Sequence, residues 1–288
     1  MGKKDLIAQL IEKALQEDIG RRDLTTELLI PPSSISLARI VVKEAGTICG
    51  LEVAKRVFRT LDSRLIFHSM VKEGEEVRSS AVLGRLKGKT RAILSAERVA
   101  LNFLGYLSGI ATQTRKFVRK IHPFKALIMD TRKTMPTLRW LQRLAVRCGG
   151  GVNHRMTLEE MVFIKDNHWV ALSKQSTRQS MRGLLQGLRA RTSKPIEVEV
   201  NTLKQFYEAL DADPNFILLD NMSVPNLQEA VRFSHKLKKK KKPFLEASGS
   251  IHLENVRAVA QTGVHRISIG ELTHSARSID VSLEMEES

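Results

Sequence analysis

The feature of this sequence that most constrains its fold is a series of short apolar runs that alternate with helix-compatible segments from residue 125 onward. Six runs occur, at residues 125–131, 161–167, 195–200, 216–221, 243–249 and 266–271. Strands that alternate with helices are typical of parallel βα units. The pattern therefore predicts an α/β fold for this part of the chain, either a barrel or an open, doubly wound sheet.

Each of these runs ends in charged or polar residues or in glycine. The ends comprise Asp130 to Lys133, Lys165 and Asp166, Glu197 and Glu199, Asp220 and Asn221, Glu246 to Gly249, and Gly270 and Glu271. In α/β barrels the catalytic groups lie at the carboxyl ends of the strands. We therefore expect these residues to share one site.

The first third of the chain has a different pattern. Apolar residues recur at helical spacing over residues 6–15 and again over residues 96–111, and three strand-like runs lie between them, at residues 34–50, 65–70 and 75–90. The periodicity predicts a small α/β layer domain. We place its boundary near residue 114.

The net charge of +16 is concentrated in one segment. Residues 115–193 carry 17 Lys and Arg residues and only 4 Asp and Glu residues. Such an excess indicates nucleic acid, an acidic surface or anionic small molecules as partners. Aromatic side chains for single-strand stacking make up only 5% of the residues, and no nucleic-acid-binding module is recognised, which argues against a nucleic-acid partner.

Composition and cysteine content favour a cytoplasmic globular protein. Apolar residues make up 42% of the chain, enough for a core, and no apolar stretch approaches the roughly 18 residues of a membrane span. The first residues do not read as a signal peptide. Cys49 and Cys148 lack ligand-like spacing, so the sequence implies neither a disulfide framework nor a zinc site.

Five cationic residues occur within 34 residues of sequence at consecutive strand ends. They are Arg132, Lys133, His154, Arg155 and Lys165. In a partly dry cavity such groups bind carboxylate or phosphate strongly, because charge-assisted hydrogen bonds strengthen there. The cluster predicts a multiply charged anionic ligand. The glycines in GGGVNHR, at residues 149–155, match neither the Rossmann nor the P-loop pattern and give only a weak phosphate signal.

Two further groups of strand-end residues suggest chemistry. Glu199 and Asp220 are suited to a divalent metal or sugar hydroxyls, with a structural ion pair to Lys133 as an equal alternative. Glu197 alternates with Glu199 and is expected on the same face, at a deeper layer. The glycine-containing ends at residues 247–251 and 267–273 each precede a helix-compatible segment and favour phosphate binding.

With these residues identified, the chain resembles the quinolinate phosphoribosyltransferases, the carboxylating nicotinate-nucleotide pyrophosphorylases. The similarity covers residues 17–26, 43–58, 97–114, 130–139, 145–168, 197–200, 218–221, 245–251 and 267–276. The elements DTRKT, GGGVNHR and IKDNH occur in that order, at residues 130–134, 149–155 and 164–168. Their order makes a chance similarity improbable.

The resemblance implies a fold, a reaction and a set of roles. The fold would be an N-terminal α/β sandwich (residues 1–114 with the tail 276–288) and an open, incomplete parallel α/β barrel of about seven strands (residues 115–275). Quinolinate and 5-phosphoribosyl-1-pyrophosphate (PRPP) would give nicotinate mononucleotide, pyrophosphate and CO2, with Mg²⁺ assisting. The enzyme would be a homodimer or a higher homo-oligomer with shared active sites.

The resemblance also assigns individual residues. It implies that Arg132, His154, Arg155 and Lys165 bind the quinolinate carboxylates, with Arg98 entering from the neighbouring subunit. It places Lys133, Glu199 and Asp220 around the ribose and the metal, and it assigns phosphate binding to Ser248, Gly249 and Gly270 with His274 nearby. No covalent intermediate is needed, so no nucleophile or general base is assigned.

The sequence departs from the family pattern at several positions. A glycine is missing at Arg21-Arg22, and Thr137 and Ser250 stand where the family usually has glycine. Ser250 is expected either to donate its hydroxyl or to crowd the phosphate. The lysine run at residues 238–242 has no family role and is expected to be a solvated helix end or loop rather than a nucleic-acid patch.

Two alternatives to the main interpretation remain at this stage. One is a paralogue of the same fold that acts on another acidic acceptor, such as the molybdenum-transport-associated relatives. The presence of Arg98, Arg132, His154, Arg155 and Lys165 argues against it. The remote alternative is a basic nucleic-acid-binding protein.

Overall fold

The structure is a computed structural model that describes residues 3–174, 180–238 and 242–286. The chain divides into two compact units. The first unit comprises the described residues of Met1–Gln113, Arg147–Gly150 and Ala276–Ser288, and the second those of Thr114–Val146 and Gly151–Ser275. None of the described helices is long and apolar enough to cross a membrane.

The first unit begins with four helices and five strands. In chain order they are α1 (Lys3–Ile19), α2 (Leu24–Leu29), β1 (Ile35–Val42), β2 (Gly46–Thr47), α3 (Leu51–Leu61), β3 (Ile66–Ser69), β4 (Glu76–Val77), β5 (Val82–Lys89) and α4 (Thr90–Lys120). Helix α4 places Ala96, Ala100, Leu104 and Leu107 in the core, as its 3.6-residue periodicity predicts. Helix α3 adds Ala54, Val57 and Phe58 to the core.

The second unit alternates strands and helices. Its elements are β6 (Leu127–Met129), α5 (Arg139–Cys148), β7 (Val162–Ile164), α6 (Asp166–Ser173), α7 (Met181–Arg189), β8 (Ile196–Val200), α8 (Leu203–Ala212), β9 (Phe216–Asp220), α9 (Val224–Lys236), β10 (Phe244–Ser248), α10 (Val256–Gln261), β11 (Arg266–Ser268) and α11 (Glu271–His274). Helix α5 ends within the segment Arg147–Gly150 that belongs to the first unit.

The strands of the second unit form one parallel sheet in the order β6-β11-β10-β9-β8-β7. Each of the six apolar runs of the sequence forms one of these strands, which confirms the predicted parallel α/β architecture. The expected count was about seven. A single parallel bridge between Met129 and Val152 lies beside β6. Val152 thus adds one paired residue beside the six strands of this sheet.

Local signals in the sequence explain the start of several helices. Thr202 caps α8, because its side-chain hydroxyl accepts a hydrogen bond from the Gln205 amide at 3.2 Å. Ser180 and Ser223 cap α7 and α9 in the same way. Helix α9 ends at Lys236, at the start of the lysine-rich stretch. Residues 239–241 of that stretch lie outside the described residues.

The chain returns to the first unit in its last strand, β12 (Val281–Glu286). This strand pairs antiparallel with β1 and completes a four-stranded sheet of order β12-β1-β5-β3. On the solvent side, Glu284 contacts Arg39 at 3.0 Å and Lys43 at 2.7 Å. Exposed pairs of this kind contribute little stability individually. Burial of the apolar face of the sheet therefore contributes more to the attachment of β12.

Candidate active site

A cavity of about 730 Å³ opens at the carboxyl ends of the parallel strands of the second unit. Of the residues to which the resemblance assigns a role, all except Arg98 line it. They are Arg132, Lys133, His154, Arg155, Lys165, Glu199, Asp220, Ser248, Gly249, Gly270 and His274. Arg98 lies on helix α4, within the first unit, and its side chain is exposed.

One wall of the cavity is cationic and is built on the ring of Phe163. The Arg155 guanidinium lies 5.0 Å from the ring centroid, and the Lys165 ammonium lies 4.8 Å from it. Arg155 is only 8% exposed, and burial together with the charge of Arg132 lowers its pKa. Among the described residues, the buried Nε of Arg132 has no hydrogen-bond partner. These side chains therefore form a site for a carboxylate or another anion.

A buried carboxylate fixes the loop that carries His154 and Arg155. Asp130 is fully buried at the end of β6 and accepts hydrogen bonds from the His154 amide at 2.7 Å and from Asn153 Nδ2 at 2.6 Å. Gly151 is required where the loop crosses the core, because a Cβ there would lie 2.8 Å from a Val146 methyl group. Gly151 thus allows the loop to pass close to Val146, and Asp130 fixes the end of the loop.

Beneath the cationic wall lies a buried cluster of His154, Glu197 and Glu246. His154 Nε2 lies 3.2 Å from Glu197 and 3.5 Å from Glu246, and both carboxylates are inaccessible to solvent. Glu197 therefore occupies the deeper layer predicted from its alternation with Glu199. Ser268 donates its hydroxyl to Glu246, and Arg266 lies 3.9 Å from the same carboxylate.

The pKa values in this cluster favour a bound proton. Burial disfavours a charged His154, but the nearby carboxylates of Glu197 and Glu246 outweigh burial and raise its pKa to about 9. Burial and the neighbouring Glu246 raise the pKa of Glu197. His154 Nδ1 accepts a hydrogen bond from the Arg155 amide at 2.8 Å, which requires an unprotonated Nδ1. The proton of His154 therefore lies on Nε2, where it faces Glu197 and Glu246.

The same geometry decides whether the cluster is suited to a metal. Its three ligand atoms lie within 4.8 Å of one another. A histidine nitrogen ligates a metal only through its lone pair, and Nε2 carries the proton while Nδ1 accepts from Arg155. The arrangement is therefore a proton-sharing cluster and is not preorganised for a metal.

Glu199 and Asp220 lie at the ends of the neighbouring strands β8 and β9. Burial raises the pKa of Glu199, Lys165 opposes the rise and Asp220 adds to it. Glu199 lies 3.8 Å from the Lys165 ammonium. Among the described ion pairs its partner is Lys165, whereas the sequence alternative proposed Lys133. Two hard carboxylate oxygen donors at adjacent strand ends fit Mg²⁺, which binds one or two carboxylates together with substrate phosphates.

The loop after β10 is shaped by Gly249. Its φ is +86°, and a Cβ at this position would lie 2.5 Å from Asn221 Cγ and 2.9 Å from the Asn221 amide nitrogen. Ser250, with φ +49°, donates its hydroxyl to Asn221 Oδ1 at 3.2 Å. The departure from the family's glycine at this position is thus accommodated by a hydrogen bond to the protein.

The loop after β11 brings Lys133 and His274 together over Gly270. A Cβ at Gly270 would lie 3.0 Å from His274 Nε2 and 3.1 Å from Lys133 Cδ. Thr273 donates to the Lys133 carbonyl at 2.7 Å. Helices α10 and α11 have only six and four residues. A phosphate at these loops would therefore be held by the backbone amides of the loops more than by a helix dipole.

Three cavity residues received no individual role in the sequence interpretation. Phe163 and Ser268 line the cavity although neither was expected there, and Glu246 was expected there only as one of the strand-end residues. Alternation offered a usable signal for two of them: Phe163 precedes Lys165 by two residues and Glu246 precedes Ser248 by two, so each pair shares a face of its strand. The contact of Ser268 with Glu246 joins two strands and has no local signal.

The fold and the cavity define an α/β-barrel enzyme whose site binds a small polyanionic substrate. Residues 110–284 match the family model described as quinolinate phosphoribosyl transferase, C-terminal domain, and residues 23–108 match the corresponding N-terminal domain. The chain belongs to the quinolinate phosphoribosyltransferase family. The resemblance found in the sequence is thereby confirmed.

Individual relatives cover the chain almost completely. A nicotinate-nucleotide pyrophosphorylase [carboxylating] of Mycobacterium leprae is 38% identical over 98% of both chains. A probable nicotinate-nucleotide pyrophosphorylase [carboxylating] of Bacillus subtilis is also 38% identical, over 97% of this chain and 93% of its own. The solved nicotinate-nucleotide pyrophosphorylase of Francisella tularensis superposes with a TM-score of 0.91 at 34% identity, over 99% of this chain and 98% of its own.

Proposed function

We propose that this protein transfers the phosphoribosyl group of PRPP to quinolinate and releases nicotinate mononucleotide, pyrophosphate and CO2, a step of NAD biosynthesis. One observation carries the proposal. A cationic wall, a carboxylate pair and two glycine-shaped loops face one another across a single cavity of about 730 Å³. A dicarboxylate, a ribose and phosphates are the three ligand chemistries that such walls select.

The cationic wall binds the two carboxylates of quinolinate in this proposal. Arg132, Arg155 and Lys165 supply the charge, and Phe163 supplies an apolar surface beside the pyridine ring. His154 accepts the Arg155 amide at Nδ1 and lines the same cavity, so we assign it to the carboxylate site together with Arg155. Burial of Arg155 strengthens its attraction for a carboxylate, because less water competes for the guanidinium.

Glu199, Asp220 and Lys133 surround the ribose and the leaving pyrophosphate. The two carboxylates would hold Mg²⁺ together with the substrate phosphates, and the bound ion would neutralise charge that develops on the pyrophosphate. Glu199 and Asp220 also stabilise the positive charge that the ribose acquires as its bond to pyrophosphate lengthens. Ser248, Gly249, Gly270 and His274 bind the 5-phosphate and pyrophosphate side of the substrate.

The proposed reaction balances without a covalent enzyme intermediate. The pyridine nitrogen attacks ribose C1′ while the C1′–O bond breaks, and the departing pyrophosphate oxygen keeps the bonding pair. The nitrogen is then positively charged, so the bond to the adjacent carboxylate can break with its electron pair remaining on the ring carbon. CO2 leaves and that carbon takes up a proton. The protein contributes positioning and electrostatic stabilisation.

The direct test uses purified protein with Mg²⁺, PRPP and quinolinate, and measures nicotinate mononucleotide and CO2. Product with quinolinate and loss of product on chelation, restored by added Mg²⁺, are expected. Turnover of nicotinate or another acid in place of quinolinate would refute the assignment. Arg155→Ala should abolish most of the activity, whereas Arg182→Ala, an exposed arginine on α7 paired with Asp211, is the matched control.

We further propose that the enzyme is at least a homodimer in which Arg98 completes the neighbouring subunit's site. The exposed position of the Arg98 side chain supports this assignment, since it leaves the guanidinium accessible to a second chain. Exposed leucines on α2 add an apolar surface: Leu28 and Leu29 are 73% and 72% exposed. Sedimentation or light scattering that gives a monomer under assay conditions would refute this proposal.

A further inference from the structure

The two cysteines of this chain meet in the first unit, far from each other in sequence. Cys49 and Cys148 each place the sulfur within 4.8 Å of the other and of a Glu73 carboxylate oxygen. The sequence contains no other cysteine. The two cysteines lack ligand-like spacing in the sequence, but the fold brings their sulfurs close together.

Cys49 is held rigidly in this cluster. It is fully buried and directly precedes Gly50, the N-cap residue of helix α3. Its amide donates to Ser108 Oγ at 2.9 Å, and Ser108 donates its hydroxyl back to the Cys49 carbonyl at 3.0 Å. The reciprocal pair fixes the backbone and therefore the direction of the thiol.

Glu73 is oriented toward the cysteines by the start of the same helix. Its carboxylate accepts from the Gly50 amide at 2.8 Å and from the Glu52 amide at 3.3 Å. A carboxylate has about four lone-pair sites, so two amide contacts leave capacity for a cation. Hydrogen-bonded carboxylates are usual among metal ligands, because the outer contacts hold the oxygens in place.

A glycine allows the Glu73 loop to pass close to Cys148. Gly74 has φ +82°, and a Cβ there would lie 3.1 Å from the Cys148 carbonyl oxygen. The Gly74 amide donates to the Ile48 carbonyl at 2.7 Å, which ties this loop to the segment that carries Cys49. All three ligand residues are therefore positioned by backbone contacts.

We propose that Cys49, Glu73 and Cys148 bind a thiophilic divalent cation of the zinc class. Two sulfurs and one carboxylate supply three ligands of a tetrahedral set, and water supplies the fourth. Thiolates select zinc over magnesium, so this site is chemically distinct from the carboxylate pair of the cavity. Glu73 is exposed and Cys148 is half-buried, which leaves an entry path on that side.

The geometry of the cluster supports a cation at this place. A buried sulfur, a half-buried sulfur and a carboxylate oxygen lie within 4.8 Å of one another. The alternative chemistry is a Cys49–Cys148 disulfide, in which the Glu73 carboxylate would have no role.

The test is a titration of reduced, metal-free protein with Co²⁺, which reports its ligands optically. We expect one Co²⁺ per chain, a sulfur-to-cobalt charge-transfer band, tetrahedral ligand-field bands and loss of all of them on addition of Zn²⁺. Cys49→Ala and Cys148→Ser should each weaken binding by more than the roughly 100-fold that loss of an outer-shell partner can cost. Glu73→Gln, which keeps an acceptor for the Gly50 amide, should weaken it as well.

Glu52→Gln is the matched control, because this glutamate lies at the same helix start but pairs with Lys55 at 3.6 Å. It should leave the cobalt spectrum unchanged. Circular dichroism verifies that each variant is folded, and the cobalt spectrum reports the site whether or not the proposed function is correct. A spectrum without the sulfur band, or the same band in the variant lacking both cysteines, overturns the proposal. If the intact mass is lower by two hydrogen atoms and free thiols appear only after reduction, the proposal is overturned in favour of a Cys49–Cys148 disulfide.

Discussion

Replacing Gly249 by alanine tests the geometry of the phosphate loop most sharply. The new Cβ would lie 2.5 Å from Asn221 Cγ and 2.9 Å from the Asn221 amide nitrogen, in a backbone with φ +86°. A side chain at positive φ costs about 1–2 kcal/mol, and forced overpacking costs about 1–3 kcal/mol more. The variant is therefore expected to lose about 2–5 kcal/mol, shared between lower stability and a displaced loop.

The assay is paired thermal unfolding and steady-state kinetics with each substrate varied in turn. The free energy of unfolding should fall, and KM for PRPP should rise far more than KM for quinolinate, because the loop faces the phosphate side of the cavity. Gly187→Ala is the matched control: it lies inside helix α7 with nothing within 4 Å of a new Cβ. That variant should gain about 0.5–1 kcal/mol.

A double-mutant cycle with Asn221→Ala separates the two causes. If the Asn221 side chain is the main obstacle, the two substitutions should couple favourably, and the remaining loss should reflect positive φ and the contact with the Asn221 amide nitrogen. Parental stability together with a parental KM for PRPP in Gly249→Ala would refute the reasoning, since neither strain nor crowding would then exist at this loop.

Four further outcomes are expected. Thr137→Gly should stabilise the protein by up to about 1 kcal/mol in chemical unfolding, because Thr137 has φ +66°; a loss of stability would contradict this. Arg155→Ala should raise KM for quinolinate by about 10–150-fold, the value of a charged hydrogen bond, and leave KM for PRPP nearly unchanged. Folding takes up protons at the cluster of His154 and Glu197, so stability should fall as pH rises from 6.5 to about 9 in the parent and less steeply in Glu197→Gln, as unfolding midpoints will reveal. Mixing the impaired Arg98→Ala and Arg155→Ala proteins should restore roughly a quarter of the sites if subunits share them, and none if subunit exchange is proven and sites are self-contained.

The parallel sheet was predictable because its signal is local. Each apolar run is a buried strand, and each polar end falls at the same edge of the sheet by the geometry of parallel strands. The convergence of Arg132, Glu199 and Asp220 on one cavity follows from that rule, whereas Arg155 follows no apolar run and lies beyond the isolated bridge at Val152. The six apolar runs gave the six strands of the sheet, and the count of about seven came from the resemblance alone.

Departures from the family pattern were visible in sequence, and the backbone now explains two of them. Thr137 and Ser250 replace family glycines, and both have positive φ, at +66° and +49°. Glycine is the residue that adopts this conformation without steric cost. The sequence revealed where the departures lie, but their conformational meaning required the backbone angles.

Contacts between distant segments could not be predicted. Cys49 and Cys148 lack ligand spacing in sequence, and only the path of the Gly74 loop brings them together. The tautomer of His154 depends on the Arg155 amide and on two carboxylates from other strands. Such features depend on distances across the fold, which no local periodicity encodes.

The pairing of β12 with β1 has a consequence for synthesis on the ribosome. Strand β1 acquires its neighbour β5 once residue 89 has emerged, but its other edge waits for residues 281–286. At about 5–20 residues per second, that edge stays uncovered for roughly 10–40 seconds. During this interval the nascent chain presents an open strand that another nascent chain can pair with. Arg39 and Lys43, which later contact Glu284, place positive charge along that edge and disfavour such pairing until the last strand arrives.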